Sequence, residues 1–220
     1  MIDSSALWYL SRAAGVVALV LFTAVLVLGI ATSGRAGSAV LPRAGVLRLH
    51  RSISLSALVF LALHIVSAIA DGYVELGVVD VFLPFGSAWD PFWVGLGAVA
   101  VDLLLAVTIT SLLRRHLPVR LWRGVHLAAY AMWPIAVAHG LGSAGGDGVR
   151  PWTLAVSGVC VLAVVGALWR WRLRSDRHPD AVRREQGRLR HDLRPAVVPV
   201  DPTPVTSTPV VPLGAGRATR

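Results

Sequence analysis

The stretch HRSISLSALVFLALH, residues 50–64, begins and ends on histidine and is mostly apolar between them. Read on to Ala70, it supplies the roughly 20 apolar residues that a helix needs to cross a bilayer. A second stretch, HLAAYAMWPIAVAH at residues 126–139, repeats the arrangement. Each lies in an apolar segment of spanning length, 52–70 and 121–141. Three further segments qualify by the same measure: 7–31, 92–113 and 152–171. The first is too long for a signal-peptide core, and Asp3 and Arg12 leave its flank without net positive charge, so it reads as a retained span. The expected fold is all-α, an integral membrane helical bundle of about five transmembrane helices.

Composition agrees. Of 220 residues, 55% are apolar and only 15% are charged, where a soluble domain needs about a quarter charged to cover its surface. Mean hydropathy is +0.66. All 21 basic residues are arginine, and the net charge is +9. A basic chain can bind nucleic acid or an anionic lipid surface, and distribution decides between them. Arg35, Arg43, Arg48 and Arg51 put +4 between spans one and two, and Asp71, Glu75, Asp80 and Asp90 put −4 between two and three. Arg114, Arg115, Arg120 and Arg123 restore +4 before span four, Asp147 and Arg150 cancel, and the tail from Arg170 carries +6. This alternation orients the chain N-out and C-in by the positive-inside rule, in a plasma (inner) membrane. It leaves no case for a nucleic-acid partner; the lipid bilayer is the partner. Trp8, Trp89, Trp93 and Trp152 fall at outer span ends and Trp122, Trp169 and Trp171 at inner ends, as interfacial anchors do. Trp133 is the exception, inside span four.

The transmembrane domain is thus residues 1–171, with 172–220 as a cytoplasmic tail. Residues 172–194 are Arg-rich, and PAVVPVDPTPVTSTPVVP follows at 195–212; too few core-forming side chains remain, and the tail is expected to be disordered. The single Cys160 excludes an intrachain disulfide, a Cys-ligated iron–sulfur cluster and haem attachment through Cys-x-x-Cys-His.

Coordinating residues inside spans are rare and mark function. Four of the seven histidines lie on spans, His50 and His64 on the second, His126 and His139 on the fourth. At about 1.5 Å per residue, His50 to His64 covers roughly 21 Å and His126 to His139 roughly 19.5 Å. Both helices run from inside to outside, so His50 lies level with His126 and His64 with His139. Two levels, each with an imidazole from two helices, suit two stacked bis-histidine haems, since neutral imidazole donates a lone pair axially to iron. The competing reading is interhelical hydrogen bonding between polar residues. A metal other than haem iron also remains open, but the levels are too far apart for one site. One detail resists: thirteen residues leave His126 and His139 about 140° apart on an ideal helix. Pro134, between them, is expected to kink the span and re-aim His139.

On these two stretches the sequence resembles the ferric reductase-like transmembrane family, which includes the cytochrome b of NADPH oxidases and the haem subunit of the methionine sulfoxide reductase system. Further support comes from LWYLSRAAG in span one, VDLLLAVTITSLLRR in span three and WRGVH opening span four. The resemblance covers about residues 5–172. It implies haem b, two per chain, with His50 and His126 holding the inner haem and His64 and His139 the outer. It also implies electron transfer from a cytoplasmic flavoprotein or a membrane quinol to ferric iron or an extracytoplasmic protein. Flavin is expected only on a partner: no strand, Gly-rich turn and helix unit follows the spans, and the Gly-rich 142–148 reads as an outer loop. The chain is then the transmembrane electron-transfer component of an oxidoreductase, without a nicotinamide- or flavin-binding domain.

Four more polar residues are candidates. Arg12 lies at the depth of an outer haem's propionates, and Arg51 and Arg123 adjoin or nearly adjoin inner histidines; each arginine is equally explained by lipid headgroups or by topology. Asp102, in the middle of span three, is placed to hold a histidine's second nitrogen, to relay protons, or to bond a neighbour structurally. Two rival functions remain: a haem-free membrane protein such as a proton-coupled transporter subunit, and a haem-bearing assembly or sensor protein without reductase turnover.

Overall fold

The structure, a computed structural model, describes residues 4–33, 43–71, 75–143 and 151–192. The described residues form an all-α membrane bundle. Its helices are α1 (Ser4–Ser33), α2 (Arg43–Ala70), α3 (Pro91–Leu112), α4 (Val119–His126), α5 (Ala129–Gly142) and α6 (Pro151–Asp192). Two short 3-10 turns, Val78–Val81 and Arg114–His116, sit in the connections. Proline marks several starts: Pro91 and Pro151 open their helices, and Pro118 precedes α4. There its missing N–H costs nothing and its fixed φ suits the first turn. Asp90, ahead of Pro91, sits in the left-handed region at φ 40°.

Four helical segments are long and apolar enough to cross a bilayer: Ala6–Thr32, Ala44–Ala70, Pro91–Leu112 and Pro151–Leu173. The chain is a multi-pass membrane protein. The expected fourth span, 121–141, is not one helix. It is α4 and α5, separated at Leu127 and Ala128. The composition changes there. Arg120, Arg123 and His126 fall within the eight residues of α4, an interfacial make-up, whereas α5 carries no Asp, Glu, Lys or Arg. The break is therefore not at Pro134, which stays inside α5.

The end of the chain is a second correction. Composition points to a disordered segment from residue 172, yet α6 runs on to Asp192. Arg, Leu, Glu, Gln and Ala dominate 181–190 and are strong helix formers. Extending an existing helix also avoids the cost of nucleating one. Residues 193–220, the Pro-rich part of the expected tail, lie outside the described residues, as does the Gly-rich loop from 144 to 150. By backbone contacts the chain divides into residues 1–178 and 179–220; in the second, the described part is the last turns of α6.

In the first unit, α1 packs along α2 and α3 along α5. One core cluster joins Leu26 and Ile30 of α1, Trp133 and Val137 of α5, and Cys160 and Val164 of α6. A second joins Ala100 and Leu104 of α3 to Met132 of α5, with Leu58 and Leu61 of α2 packed against it. The exterior is apolar too: Val59 and Leu162 are 67% and 71% exposed, an exterior that lipid covers.

Trp133, the tryptophan out of place at the sequence level, is a core residue. Its indole Nε1 donates to Thr23 Oγ1 at 2.9 Å, a buried bond from α5 to α1. Thr23→Val keeps the shape and strands that N–H. The expected result is a loss of about 1–2 kcal/mol, read as earlier thermal unfolding in detergent.

Candidate haem site

His64 of α2 and His139 of α5 come together as the spacing predicts. Their ring centroids are 6.3 Å apart and the planes cross at 75°. Both rings line a cavity of about 940 Å³ bounded also by Arg12, Gly15, Gly97 and Met132. The cavity is of ligand size and mostly apolar with a few polar groups. At the other level, His126 lies within electrostatic range of His50. His50 and His126 do not line the cavity.

The Leu127–Ala128 break re-aims His139. Ala128 N–H donates to Val125, Tyr130 N–H to Leu127 and Ala131 N–H to Ala128, at 2.9, 3.0 and 3.0 Å. These are i to i−3 bonds, and each residue in such a turn advances about 120° instead of 100°. Three such steps reduce the ideal offset of about 140° between His126 and His139 to about 80°. Sequence reasoning placed the needed rotation at Pro134; tight winding one residue after His126 contributes about 60° of it.

The second ring nitrogen shows what each histidine is held for. His64 Nδ1 lies 2.8 Å from the Ser11 carbonyl and 3.2 Å from Ser11 Oγ. His139 Nδ1 lies 2.7 Å from the Trp93 carbonyl and 3.3 Å from Ser143 Oγ. His50 Nδ1 lies 3.1 Å from the Val25 carbonyl. A carbonyl only accepts, so these three rings carry the proton on Nδ1 and the lone pair on Nε2. No hydrogen bond to Nε2 of any of the four histidines is found among the described residues. His126 is held differently: its Nδ1 is at the limit of bonding to Ser111 Oγ, 3.5 Å, and its ring stacks on Trp122 at 5.0 Å.

The arginines and Asp102 divide. Arg12 is on the cavity wall, donates to the Ser143 carbonyl at 3.1 Å, and places its guanidinium 4.2 Å from the Trp8 ring centroid. Arg51 and Arg123 are exposed. Asp102 is half-buried in α3, and no described histidine bonds to it; backbone carbonyls lie against Nδ1 of His50, His64 and His139. The structure adds two residues that sequence reasoning used only for orientation. Arg114 lies over the Trp122 ring at 4.2 Å and within electrostatic range of His126. Trp122 Nε1 is buried with no hydrogen-bond partner among the described residues. Trp122 at i and His126 at i+4 was the available signal, since such pairs share a helix face.

Haem iron can be tested against the outer pair. With metal–nitrogen bonds of about 2 Å and an imidazole radius of about 1.1 Å, two imidazoles on opposite sides of one iron have centroids about 6.2 Å apart. The observed 6.3 Å fits. On both rings Nε2 is the nitrogen that carries the lone pair. Among the described residues no group of three or more His, Cys, Asp or Glu gathers as a metal site, whereas haem needs only two axial donors from the protein.

A family model described as ferric reductase like transmembrane component matches residues 14–137. That is more than half the chain. The matched range contains His50, His64 and His126 and stops two residues before His139. No curated protein and no solved structure matches the chain.

Proposed function

The chain belongs to the ferric reductase-like transmembrane family, a membrane oxidoreductase-type component, and on that premise we propose that it is a b-type cytochrome subunit carrying electrons across the bilayer. The carrying observation is the outer pair, 6.3 Å apart with both Nδ1 atoms held by backbone carbonyls. His64 and His139 would hold one haem, and His50 and His126 the other. Haem iron so bound supplies one-electron transfer between its ferric and ferrous states.

The protein's own residues do the rest. The carbonyls of Ser11, Val25 and Trp93 fix tautomer and ring direction at three ligands. Arg12, on the cavity wall, is a cation for a propionate there. At the inner level, Arg114 over the Trp122 ring, and the Trp122 indole N–H, which has no hydrogen-bond partner among the described residues, offer a carboxylate a charge and a donor. Leu104 and Met132 of the core give the cavity an apolar wall. With the N-terminus outside, electrons move from a cytoplasmic flavoprotein or membrane quinol toward ferric iron or a protein acceptor at the outer face.

The test is a reduced-minus-oxidised spectrum of the purified chain with haem extraction. The expected result is a b-type spectrum and two haems per chain. A colourless protein that takes up protons with substrate in liposomes sinks the proposal in favour of a haem-free transporter. A haem-loaded protein that never passes electrons to an external acceptor turns it into a sensor or assembly factor.

A further inference from the structure

Three of the four histidines meet the same device on a neighbouring helix. His64 bonds the Ser11 carbonyl, His50 that of Val25 and His139 that of Trp93. Four residues after each carbonyl stands a glycine: Gly15, Gly29 and Gly97. The position is not incidental. A helical side chain tilts toward the N-terminus and covers the turn before its own Cα. A Cβ at position i+4 therefore stands over the carbonyl of residue i, where the imidazole edge must enter. A carbonyl has two lone pairs, so it can take the helix N–H and the histidine N–H together if the way in is open.

The clearance is graded. A Cβ on Gly97 would lie 2.7 Å from His139 Cε1 and 2.8 Å from its Nδ1, and one on Gly15 would lie 2.9 Å from His64 Nδ1. Both distances force the ring to move. A Cβ on Gly29 would lie 3.7 Å from His50 Cε1, an ordinary contact.

We propose that Gly15 and Gly97 are positioning residues for the outer ligand pair: lacking a Cβ, they admit His64 and His139 to the backbone carbonyls that set the Nδ1–H tautomer and aim Nε2. They act through the histidines, and both also line the cavity. The proposal rests on the haem reading above for its consequence, and on geometry alone for the tautomer.

The experiment compares Gly15→Ala, Gly97→Ala and Gly29→Ala in the full chain purified in detergent. Haem content, the low-spin ferric EPR signal of each haem and its midpoint potential are measured. For Gly15→Ala and Gly97→Ala, the outer haem's signal and potential shift and its retention weakens about 10–100-fold, as for lost outer-shell partners at metal sites. The inner haem stays as in wild type, and Gly29→Ala matches wild type throughout. Unchanged outer-haem signals in Gly15→Ala and Gly97→Ala overturn the proposal. So does a Gly29→Ala effect of equal size, which would reflect alanine in any of these helices. A second measurement needs no variant to fold and no haem: 15N-histidine NMR of the haem-free wild-type chain. His64 and His139 are expected as Nδ1–H tautomers, and Nε2–H tautomers at both overturn the proposal. A wild-type chain that never binds haem defeats the haem reading, and the NMR result still decides this one.

Discussion

Replacing His64 with alanine is expected to lower the haem content from two per chain to one. The reason is the separation of levels. His64 pairs with His139 at 6.3 Å, while His50 and His126 stand about 21 Å of helix rise away and do not share the cavity. Alanine removes one axial donor from the outer pair and leaves the inner pair's carbonyl, Val25, untouched. His139→Ala should give the same phenotype, and the double variant should be no worse than either single one. Inner-haem absorbance should persist and still be reducible from the donor side, while reduction of an external acceptor disappears. Two haems retained in His64→Ala, or both lost together in each single variant, would dissolve the two-level assignment. The measurement is a pyridine haemochrome count alongside a reduced-minus-oxidised spectrum.

Gly142→Ala is expected to be among the most destabilising small substitutions in the bundle. A Cβ there would fall within the Trp93 indole, on the atoms Cδ2, Cε3 and Cε2. Trp93 cannot yield freely: its carbonyl holds His139, and its ring stands edge-on to Phe92 at 4.9 Å. Overpacking of this kind costs about 1–3 kcal/mol, and here it also separates α3 from α5 at the outer ligand. Gly140→Ala, two residues away, is the contrast. Nothing lies within 4 Å of its Cβ, and alanine in a helix is favoured over glycine by about 0.5–1 kcal/mol. Thermal unfolding of both variants should therefore move in opposite directions. A Gly142→Ala protein as stable as wild type would mean that Trp93 has room to turn.

Much of the site was legible because histidine is rare in apolar spans and helix rise is regular. Depth follows from residue counting, so His50 was matched to His126 and His64 to His139 before any packing was known. Rotation about the axis was not legible, because it depends on how each turn is wound. Pro134 looked like the element that re-aims His139, but three i to i−3 bonds after His126 add rotation there, and nothing in GVHLAAYAM announces a 3-10 turn. Asp102 drew attention as a charge in a membrane span, yet the histidine nitrogens went to carbonyls, which every residue carries and no sequence pattern displays.

The sequence by itself determined the fold class, four of the five expected membrane segments and the proximity of His64 to His139. Each follows from local composition and from a repeat fixed by the backbone. Only the tertiary structure decided which neighbour each imidazole meets, and hence which nitrogen carries the proton. That choice depends on the rotation and close approach of helices far apart in the chain, and at Gly15 and Gly97 on the absence of a single carbon atom.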